Sequence, residues 1–248
     1  MEKVNNLKVL LYDVETKPVR CWLWRVGSKI NVGHDQIVDG EKFDIITICF
    51  KWLGEKKIHS LDWGLKAQDS TKMIKEFTKV IESADLAIGH NGDRFDMLQI
   101  NTQRLMHNQP PIAWPSTDDT LKQFRRYFAF PSYKLDYLAK VLTGSGKSPM
   151  SFQDWIDIVQ YKKAKKLKKM IKYCKKDVLL LEKVYKRASK FFKPKVHAGL
   201  HAGIDGTSCP RCSSSNLQKY GFRHTLTGRY QRYVCNNCSQ QIVSGRKS

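Results

Sequence analysis

The sequence predicts a mixed α/β domain followed by a small metal-binding module near the C-terminal end. Apolar runs typical of buried strands recur within the first 62 residues, and helical periodicity alternates with one further strand after them. Two Cys-x2-Cys pairs beyond residue 207 predict the module. We expect a domain over residues 1–195, a linker over 196–206 and the module over 207–248.

Three strands are predicted in the first part of the chain. They cover residues 7–13, 44–53 and 56–62, and the Gly54-Glu55 pair between the last two predicts a turn. An antiparallel meander fits these strands. Residues 20–27 form either another strand or an extension packed against it.

Helices follow the meander. Ser70 is the predicted N-cap of a helix over about residues 71–83, and a short buried strand covers 86–88. A helix beginning near Asp93 ends near Pro110, and residues 116–160 form short helical pieces. A longer helix is expected over 161–192, with a break near its lysine-rich start as an alternative.

Four acidic residues at three separated places are the candidate ligands of catalytic metal ions. Asp13 and Glu15 end the first strand, where a side-chain period of two places both carboxylates on one face. Asp96 lies in the first turns of a helix, and Asp177 follows Tyr173 by four residues on one helix face. If these carboxylates converge, they hold hard divalent cations through oxygen, as phosphoryl-transfer chemistry requires.

The order Asp-x-Glu, Asn-x-x-x-Phe-Asp and Tyr-x-x-x-Asp resembles the three motifs of DEDDy-type 3′→5′ exonucleases. This family includes the proofreading domains of family B DNA polymerases and has a ribonuclease H-like fold. The segment 132–140, followed by Gly144-Ser145-Gly146-Lys147, is similar to the stretch between the second and third motifs. With Trp22-Leu23-Trp24 and Lys51-Trp52-Leu53-Gly54, the whole chain looks most like phage-type exonucleases that carry a terminal zinc ribbon.

The resemblance implies roles for individual residues. Asp13, Glu15, Asp96 and Asp177 would hold two Mg²⁺ or Mn²⁺ ions, and Tyr173 would orient the attacking water. Thr16, Asn91 and Lys147 would contact the substrate. Simpler roles stay open: Tyr173 as a packed helix residue, Asn91 as a helix N-cap, and His90 as a neighbour of the site.

The paired knuckles Cys209-Pro-Arg-Cys212 and Cys235-Asn-Asn-Cys238 predict one structural Zn²⁺ site, with 22 residues between the two pairs. Such pairs favour a metal over disulfides, and with four cysteines present no histidine ligand is needed. Cys21, Cys49 and Cys174 are interpreted as buried small hydrophobes.

Basic and aromatic residues interleave before the second knuckle. The run from Gly228 to Tyr233 resembles zinc ribbons of DNA-binding proteins, so Arg229, Arg232 and Tyr233 are candidate substrate contacts. The alternative is that the aromatic side chains build the small core around the metal.

The net charge is unusual for a chain of 248 residues. Forty-four Lys and Arg against 23 Asp and Glu give +21, which favours a polyanionic partner. The excess is concentrated, with fifteen basic residues between positions 160 and 195; a solvated lysine-rich surface is the alternative. No secretory signal or membrane-spanning run is present, so we expect an intracellular protein, in the host cytoplasm if phage-encoded.

These observations favour a metal-dependent 3′→5′ exonuclease with a zinc ribbon that grips nucleic acid. Single-stranded DNA is the favoured substrate, and RNA is the alternative. A non-catalytic nucleic-acid-binding protein and a structure-specific endonuclease on the same fold are the alternatives. Any replication or repair partner, the oligomeric state and the pathway are not specified by the sequence.

Overall fold

A five-stranded mixed sheet forms the centre of the larger domain. The computed structural model describes residues 7–27, 29–146, 148–204 and 208–247. The strands are β1 (Val9–Thr16), β2 (Ile45–Trp52), β3 (His59–Asp62), β4 (Leu86–Gly89) and β5 (Ser116–Asp119). Their spatial order is β3-β2-β1-β4-β5. The β1–β2–β3 part is antiparallel, which confirms the predicted meander, and β4 and β5 run parallel to β1.

Seven α-helices accompany the sheet in the described residues. They are α1 (Thr71–Glu82), α2 (Asp96–Met106), α3 (Thr120–Tyr127), α4 (Leu135–Thr143), α5 (Phe152–Val159), α6 (Ala164–Ala188) and α7 (Ala198–His201). The predicted α/β class, a mixed sheet flanked by helices, is confirmed. None of the helices in the described part of the chain has the length and apolar composition needed to cross a bilayer.

The alternating side chains of β1 divide the core into two layers. Leu10, Tyr12 and Val14 pack with apolar residues of α1 and α2 on one side of the sheet. Val9 and Leu11 pack with residues of α3, α4 and α6 on the other side. Asp13 and Glu15 have the same parity as Val9 and Leu11, so their side chains extend towards the α6 layer.

Two local expectations differ from the structure. Residues 116–119, predicted as helical, form β5, a polar strand whose backbone pairs with β4. The helix predicted near Asp93 begins at Asp96, after a turn. The long helix, predicted over 161–192 with a break near its start as an alternative, begins at Ala164 and continues without a break to Ala188, after Lys162 with a φ of 49°.

The helix predicted at Ser70 does begin after that residue, but its capping is different. Ser70 occupies the N-cap position, and its hydroxyl is hydrogen-bonded to Nε2 of His107 at 3.0 Å. Asp69 instead accepts from the Thr71 N–H at 2.9 Å. Residues 20–27 form no further strand; Cys21 makes a single bridge to Ile37.

The C-terminal module is a three-stranded antiparallel sheet of β6 (Leu217–Thr225), β7 (Gly228–Cys235) and β8 (Gln241–Lys247). Strands β6 and β7 form the hairpin that spans the long interval between the two cysteine pairs. The predicted linker contains the short helix α7, whose first N–H, from Ala198, donates to the carbonyl of Pro210 at 2.8 Å. The boundary at residues 196–206 stays a prediction.

Candidate active site and metal centres

The candidate active site lies where β1 extends beyond its neighbour β4. Pairing between these strands ends at Leu11 and Ile88. Further along β1, the N–H of Val14 donates to Oδ1 of Asp96 at 3.0 Å. This bond brings the start of α2 against β1 and places Asp96 beside the Asp13–Glu15 segment.

Helix α6 supplies the other wall of the site. Oxygen atoms of Asp13 and Glu15 and the sulfur of Cys174 all lie within 4.8 Å of one another. The Cys174 thiol lies 3.5 Å from Oδ2 of Asp13. Asp177, one turn further along α6, is 1% exposed, and Asp96 is 4% exposed.

Burial and nearby negative charges raise the pKa values of two side chains in this region, Asp96 and Tyr12. Burial raises the pKa of Asp96 to about 7, against the opposing hydrogen bond from the Val14 N–H, and the charge of Asp119 adds to the increase. Burial, followed by the nearby carboxylates of Asp96, Asp93, Asp119 and Asp13, raises the pKa of Tyr12 well above its ordinary value. Negative charge is therefore concentrated at this end of the sheet.

Two of the four predicted ligands, Asp13 and Glu15, lie close enough together to share a hard divalent cation, whereas Asp96 and Asp177 fall outside the 4.8 Å group found among the described residues. Asp13, Glu15, Asp96 and Asp177 offer carboxylate oxygens, the ligands that Mg²⁺ and Mn²⁺ prefer, and a cation would relieve the repulsion among them. Cys174 is the exception, since its thiol is a softer ligand. Sequence reasoning placed it in the core, and it is buried, but it also contacts Asp13.

Tyr173 lies beside Trp155, with ring centroids 6.5 Å apart in an edge-on arrangement. The indole N–H of Trp155 donates to the carbonyl of Thr16 at 3.2 Å. Tyr173 and Thr16 therefore share a neighbour at the end of β1. Both side chains are half-buried.

A cleft of about 620 Å³ opens next to the carboxylates. Asp13 and Asn91 lie in its wall, together with Arg125 and Lys134, two cations that sequence reasoning missed. His90 stabilises one side, because its Nδ1 and Nε2 lie 2.9 Å from Oγ1 of Thr120 and the carbonyl of Tyr133 respectively. This agrees with His90 as a neighbour of the site.

Asn91 does not cap α2. Its φ of 69° places it in a tight turn between Gly89 and Gly92, and Phe95 occupies the N-cap position. Its N–H donates to Oδ1 of Asp119 at 2.9 Å. The same Asp119 oxygen accepts from the Leu121 N–H at 2.9 Å, so one carboxylate fixes both the Asn91 turn and the start of α3.

The other predicted contacts are spread over the chain. Lys147 lies outside the described residues. Arg229, Arg232 and Tyr233 lie on β7 of the C-terminal module and are not among the described residues that line the cleft. The Arg229 guanidinium stacks over Phe222 at 4.1 Å and that of Arg232 over Tyr220 at 4.9 Å.

The second candidate metal centre is the cluster Cys209, Cys212, Cys235 and Cys238, whose sulfurs all lie within 4.8 Å of one another. Two of the separations are 3.5 Å and 3.6 Å, for Cys209–Cys238 and Cys212–Cys235. Burial raises the pKa of Cys235, but backbone N–H groups of Cys238 and Asn237 outweigh it and lower that pKa overall. A convergent thiol set with N–H donors fits a zinc site with four cysteine ligands.

Comparison with protein families shows the superfamily to which the chain belongs. The model of the RNase H superfamily matches residues 34–189. This chain belongs to the ribonuclease H superfamily. The ribonuclease H-like fold supports a nuclease-type function, and nucleases of this superfamily generally use divalent metal ions.

Among solved structures, this superfamily member is similar to the family B DNA polymerase from the hyperthermophilic archaeon Pyrobaculum calidifontis. The TM-score is 0.57 and the sequence identity is 12%. The likeness covers 74% of this chain but only 25% of the polymerase, so the chain spans about a quarter of the polymerase's length. A search of curated proteins gave no significant match.

Proposed function

We propose that this protein is a metal-dependent 3′→5′ exonuclease of the DEDDy type, acting on single-stranded DNA. The observation that carries the proposal is the convergence at the end of β1. Asp13 and Glu15 lie together against α6, and Asp96 is held against the same strand by the Val14 N–H. Similarity in fold to a family B DNA polymerase supports the proofreading-type resemblance of the motifs.

Four carboxylates would hold the catalytic ions: Asp13, Glu15, Asp96 and Asp177. When bound, two Mg²⁺ or Mn²⁺ ions would supply Lewis-acid stabilisation of the charge that develops on the phosphodiester. The fixed position of Asp96 against β1 preorganises one ligand. The buried position of Asp177 limits the water that competes with it.

The remaining candidate residues would bind the substrate strand and orient the attacking water. Tyr173, near the end of β1, would orient the attacking water through its hydroxyl. Asn91 and Thr16 would contact the terminal nucleotide, and Lys147 would add a further substrate contact. Arg125 and Lys134 in the cleft wall would bind phosphate oxygens of the strand.

The C-terminal module would be a zinc ribbon that grips the substrate away from the cleft. Arg229 and Arg232 present guanidinium groups stacked on aromatic rings, an arrangement that suits stacking and phosphate contact together, and Tyr233 lies on the same strand. One structural Zn²⁺ would hold the two knuckles together.

Hydrolysis of labelled oligonucleotides tests the proposal. Single-stranded DNA, duplex DNA and RNA are each incubated with the full chain in Mg²⁺, Mn²⁺ or EDTA. We expect degradation with either metal, none in EDTA, and none for Asp13→Ala. Metal-dependent binding of DNA without hydrolysis under any of these conditions would contradict the proposal and favour a non-catalytic binding protein.

A further inference from the structure

A second surface near the end of β1 exposes large apolar groups that the proposed active site does not use. Trp24 is 100% exposed and Trp22 is 75% exposed, whereas Trp63 is 3% exposed. Trp52, Trp114 and Trp155 pack against the core. Two neighbouring exposed tryptophans indicate a binding surface, because a large apolar side chain left in water forgoes about 1.5–3 kcal/mol of burial free energy.

The segment that carries these tryptophans is anchored at its base. The N–H of Trp22 donates to the carbonyl of Gln36 at 2.8 Å, and that of Val38 donates to the carbonyl of Arg20 at 3.0 Å. Lys17 and Arg20 both form ion pairs with Glu41, at 2.8 Å and 2.5 Å. The exposed side chains are therefore presented by a segment with a defined base, which lowers the entropic cost of binding.

Basic side chains accompany the tryptophans. A depression of about 330 Å³ is lined by Trp24, Arg25 and Lys29, among others. Residues 17–41 contain four Lys or Arg and three acidic residues, and since Lys17 and Arg20 pair with Glu41, the positive charge offered to a ligand comes from Arg25 and Lys29. Aromatic faces next to cations match the chemistry of a single nucleic-acid strand, whose bases stack while its phosphates need positive charge.

The position of this surface agrees with that ligand. Thr16 ends β1 directly after Glu15, and Trp22 follows six residues later. Six residues of extended chain span at most roughly 22 Å, so Trp22 lies within that distance of the carboxylate-bearing strand end. A strand whose 3′ end occupies the cleft can reach the tryptophans within a few nucleotides.

We propose that Trp22, Trp24, Arg25 and Lys29, named here the Trp platform, bind the single strand that leads into the cleft. Bases stack on the two indole rings, and the two cations contact phosphates. This inference rests on the proposed function, because the exonuclease site supplies the strand end. A protein partner is the competing occupant; Arg25 and Lys29 beside Trp24 favour a polyanionic strand over it.

Binding measurements on the full chain without added Mg²⁺ or Mn²⁺, and without a chelator that would remove the proposed Zn²⁺, test the Trp platform without hydrolysis. The probe is a fluorescent oligothymidylate of about 16 nucleotides, read by anisotropy, and a matched probe lacks bases at most positions. Trp22→Ala and Trp24→Ala are each expected to weaken binding of the intact probe at least about fivefold, the lower range for loss of one stacking contact. The control Phe152→Ala removes another exposed aromatic side chain and is expected to leave affinity unchanged.

The probe without bases separates stacking from a general loss of affinity. The wild-type protein is expected to prefer the intact probe, and the Trp22→Ala/Trp24→Ala double variant is expected to show a smaller preference while keeping the wild-type melting temperature. Unchanged affinity and preference in the double variant would overturn the proposal and leave the surface to a protein partner.

The outcomes also separate this inference from the proposed function. A reduced base preference in the double variant of a protein that proves unable to hydrolyse DNA supports the platform alone. A double variant that binds like the wild type, in a protein that hydrolyses DNA, rejects the platform and leaves the exonuclease proposal intact.

Discussion

At the scale of single residues, the candidate site is a set of carboxylates held by backbone N–H groups. Asp96 accepts from Val14, and Asp119 accepts from Asn91 and Leu121. Burial raises the pKa of Asp96 first, and repulsion from the Asp119 carboxylate adds to the increase, so a negative charge on Asp96 is costly. The repulsion is the physical reason to expect a cation and to expect tolerance of neutral substitutions.

Asp13→Ala and Asp177→Asn are expected to reduce hydrolysis to background, a loss of more than about 100-fold, because each removes a proposed metal ligand. Neither should lower the melting temperature measured without added Mg²⁺ or Mn²⁺, since each substitution removes one of the negative charges gathered at this end of the sheet. Glu76→Gln, an exposed acid on α1, is the control for both measurements. Turnover that persists in either variant would remove that residue from the site.

Tyr173→Phe is expected to lower kcat by at most about 100-fold with little change in KM, because only the orientation of water is lost. Steady-state kinetics on a short single-stranded oligonucleotide measure both constants. Tyr161→Phe, which removes the hydroxyl of an exposed tyrosine, serves as the matched control. A Tyr173→Phe enzyme as fast as the wild type would assign Tyr173 to packing against Trp155.

Some of these positions follow from sequence periodicity and others do not. The shared face of Asp13 and Glu15 follows from the strand period of two, and the cluster around Asp13 agrees with it. The bond between Val14 and Asp96 joins residues 82 positions apart and depends on where β1 stops pairing with β4. No local pattern specifies that end point. Nor does a local pattern specify the hydrogen bonds that Asp119 accepts from Asn91 and Leu121, or the contact of Cys174 with Asp13.

At the scale of elements, α6 is joined to the sheet by a buried ion pair. Lys51 on β2 and Glu182 on α6 are each 5% exposed and form a salt bridge. Burial raises the pKa of Glu182, but hydrogen bonds from Lys186, Lys51 and the Gly54 N–H outweigh it, so the pKa lies below its ordinary value. The charged pair therefore contributes stability above the ordinary glutamate pKa.

Glu182→Ala is expected to destabilise the protein by about 3–5 kcal/mol at neutral pH, because Lys51 is left buried without its carboxylate. Denaturant unfolding measures the free energy. The penalty should shrink as the pH falls through the lowered pKa of Glu182, where the wild-type carboxylate becomes protonated. Glu76→Ala, which breaks the exposed Lys72–Glu76 pair, should cost no more than about 0.5 kcal/mol; equal effects of the two variants would contradict the account.

Elements with strong periodicity were the predictable ones. The apolar repeat of α6 and the buried runs of β1 and β2 identified those elements within a few residues. Strand β5 was missed because Ser116-Thr117-Asp118-Asp119 has no apolar alternation, and only its pairing with β4 makes it a strand. Part of the positive charge on α6 is neutralised within the protein, because Lys166 and Lys169 form ion pairs with the buried Asp154 of α5.

At the scale of the whole molecule, the first cysteine knuckle contacts the larger domain. The Arg211 guanidinium donates to the carbonyl of Phe192 at 2.7 Å, and Phe192 is 1% exposed. His201 of α7 lies 3.0 Å from Asp85, which precedes β4. Sequence reasoning treated the two parts as joined by a linker, and these contacts depend on tertiary packing that local patterns do not encode.

Removal of residues 199–248 is expected to preserve turnover on saturating short oligonucleotides, because the carboxylates and Tyr173 precede that segment. The segment has seven basic residues and one acidic residue, so long substrates should bind more weakly, with less processive degradation and a shallower dependence on salt. The melting temperature should fall, since the Arg211 contact with Phe192 is lost. Rates and affinities over a salt series measure these effects.

Chelation of the proposed Zn²⁺ from the full chain is the matched comparison, because a small module held by four cysteine ligands is expected to unfold without its metal. It should reproduce the weaker binding of long substrates. A soluble, folded truncated enzyme that is inert on short substrates at high concentration would show that the ribbon belongs to the active site.

The most direct test of the exonuclease account is the direction of degradation on a 5′-labelled single strand in Mg²⁺. The account predicts a ladder of products that shorten progressively from the 3′ end, and it predicts that circular and 3′-blocked strands of the same sequence persist. Asp13→Ala should give no ladder. Cleavage of the circular strand by the wild-type protein would contradict the account and identify an endonuclease on the same fold.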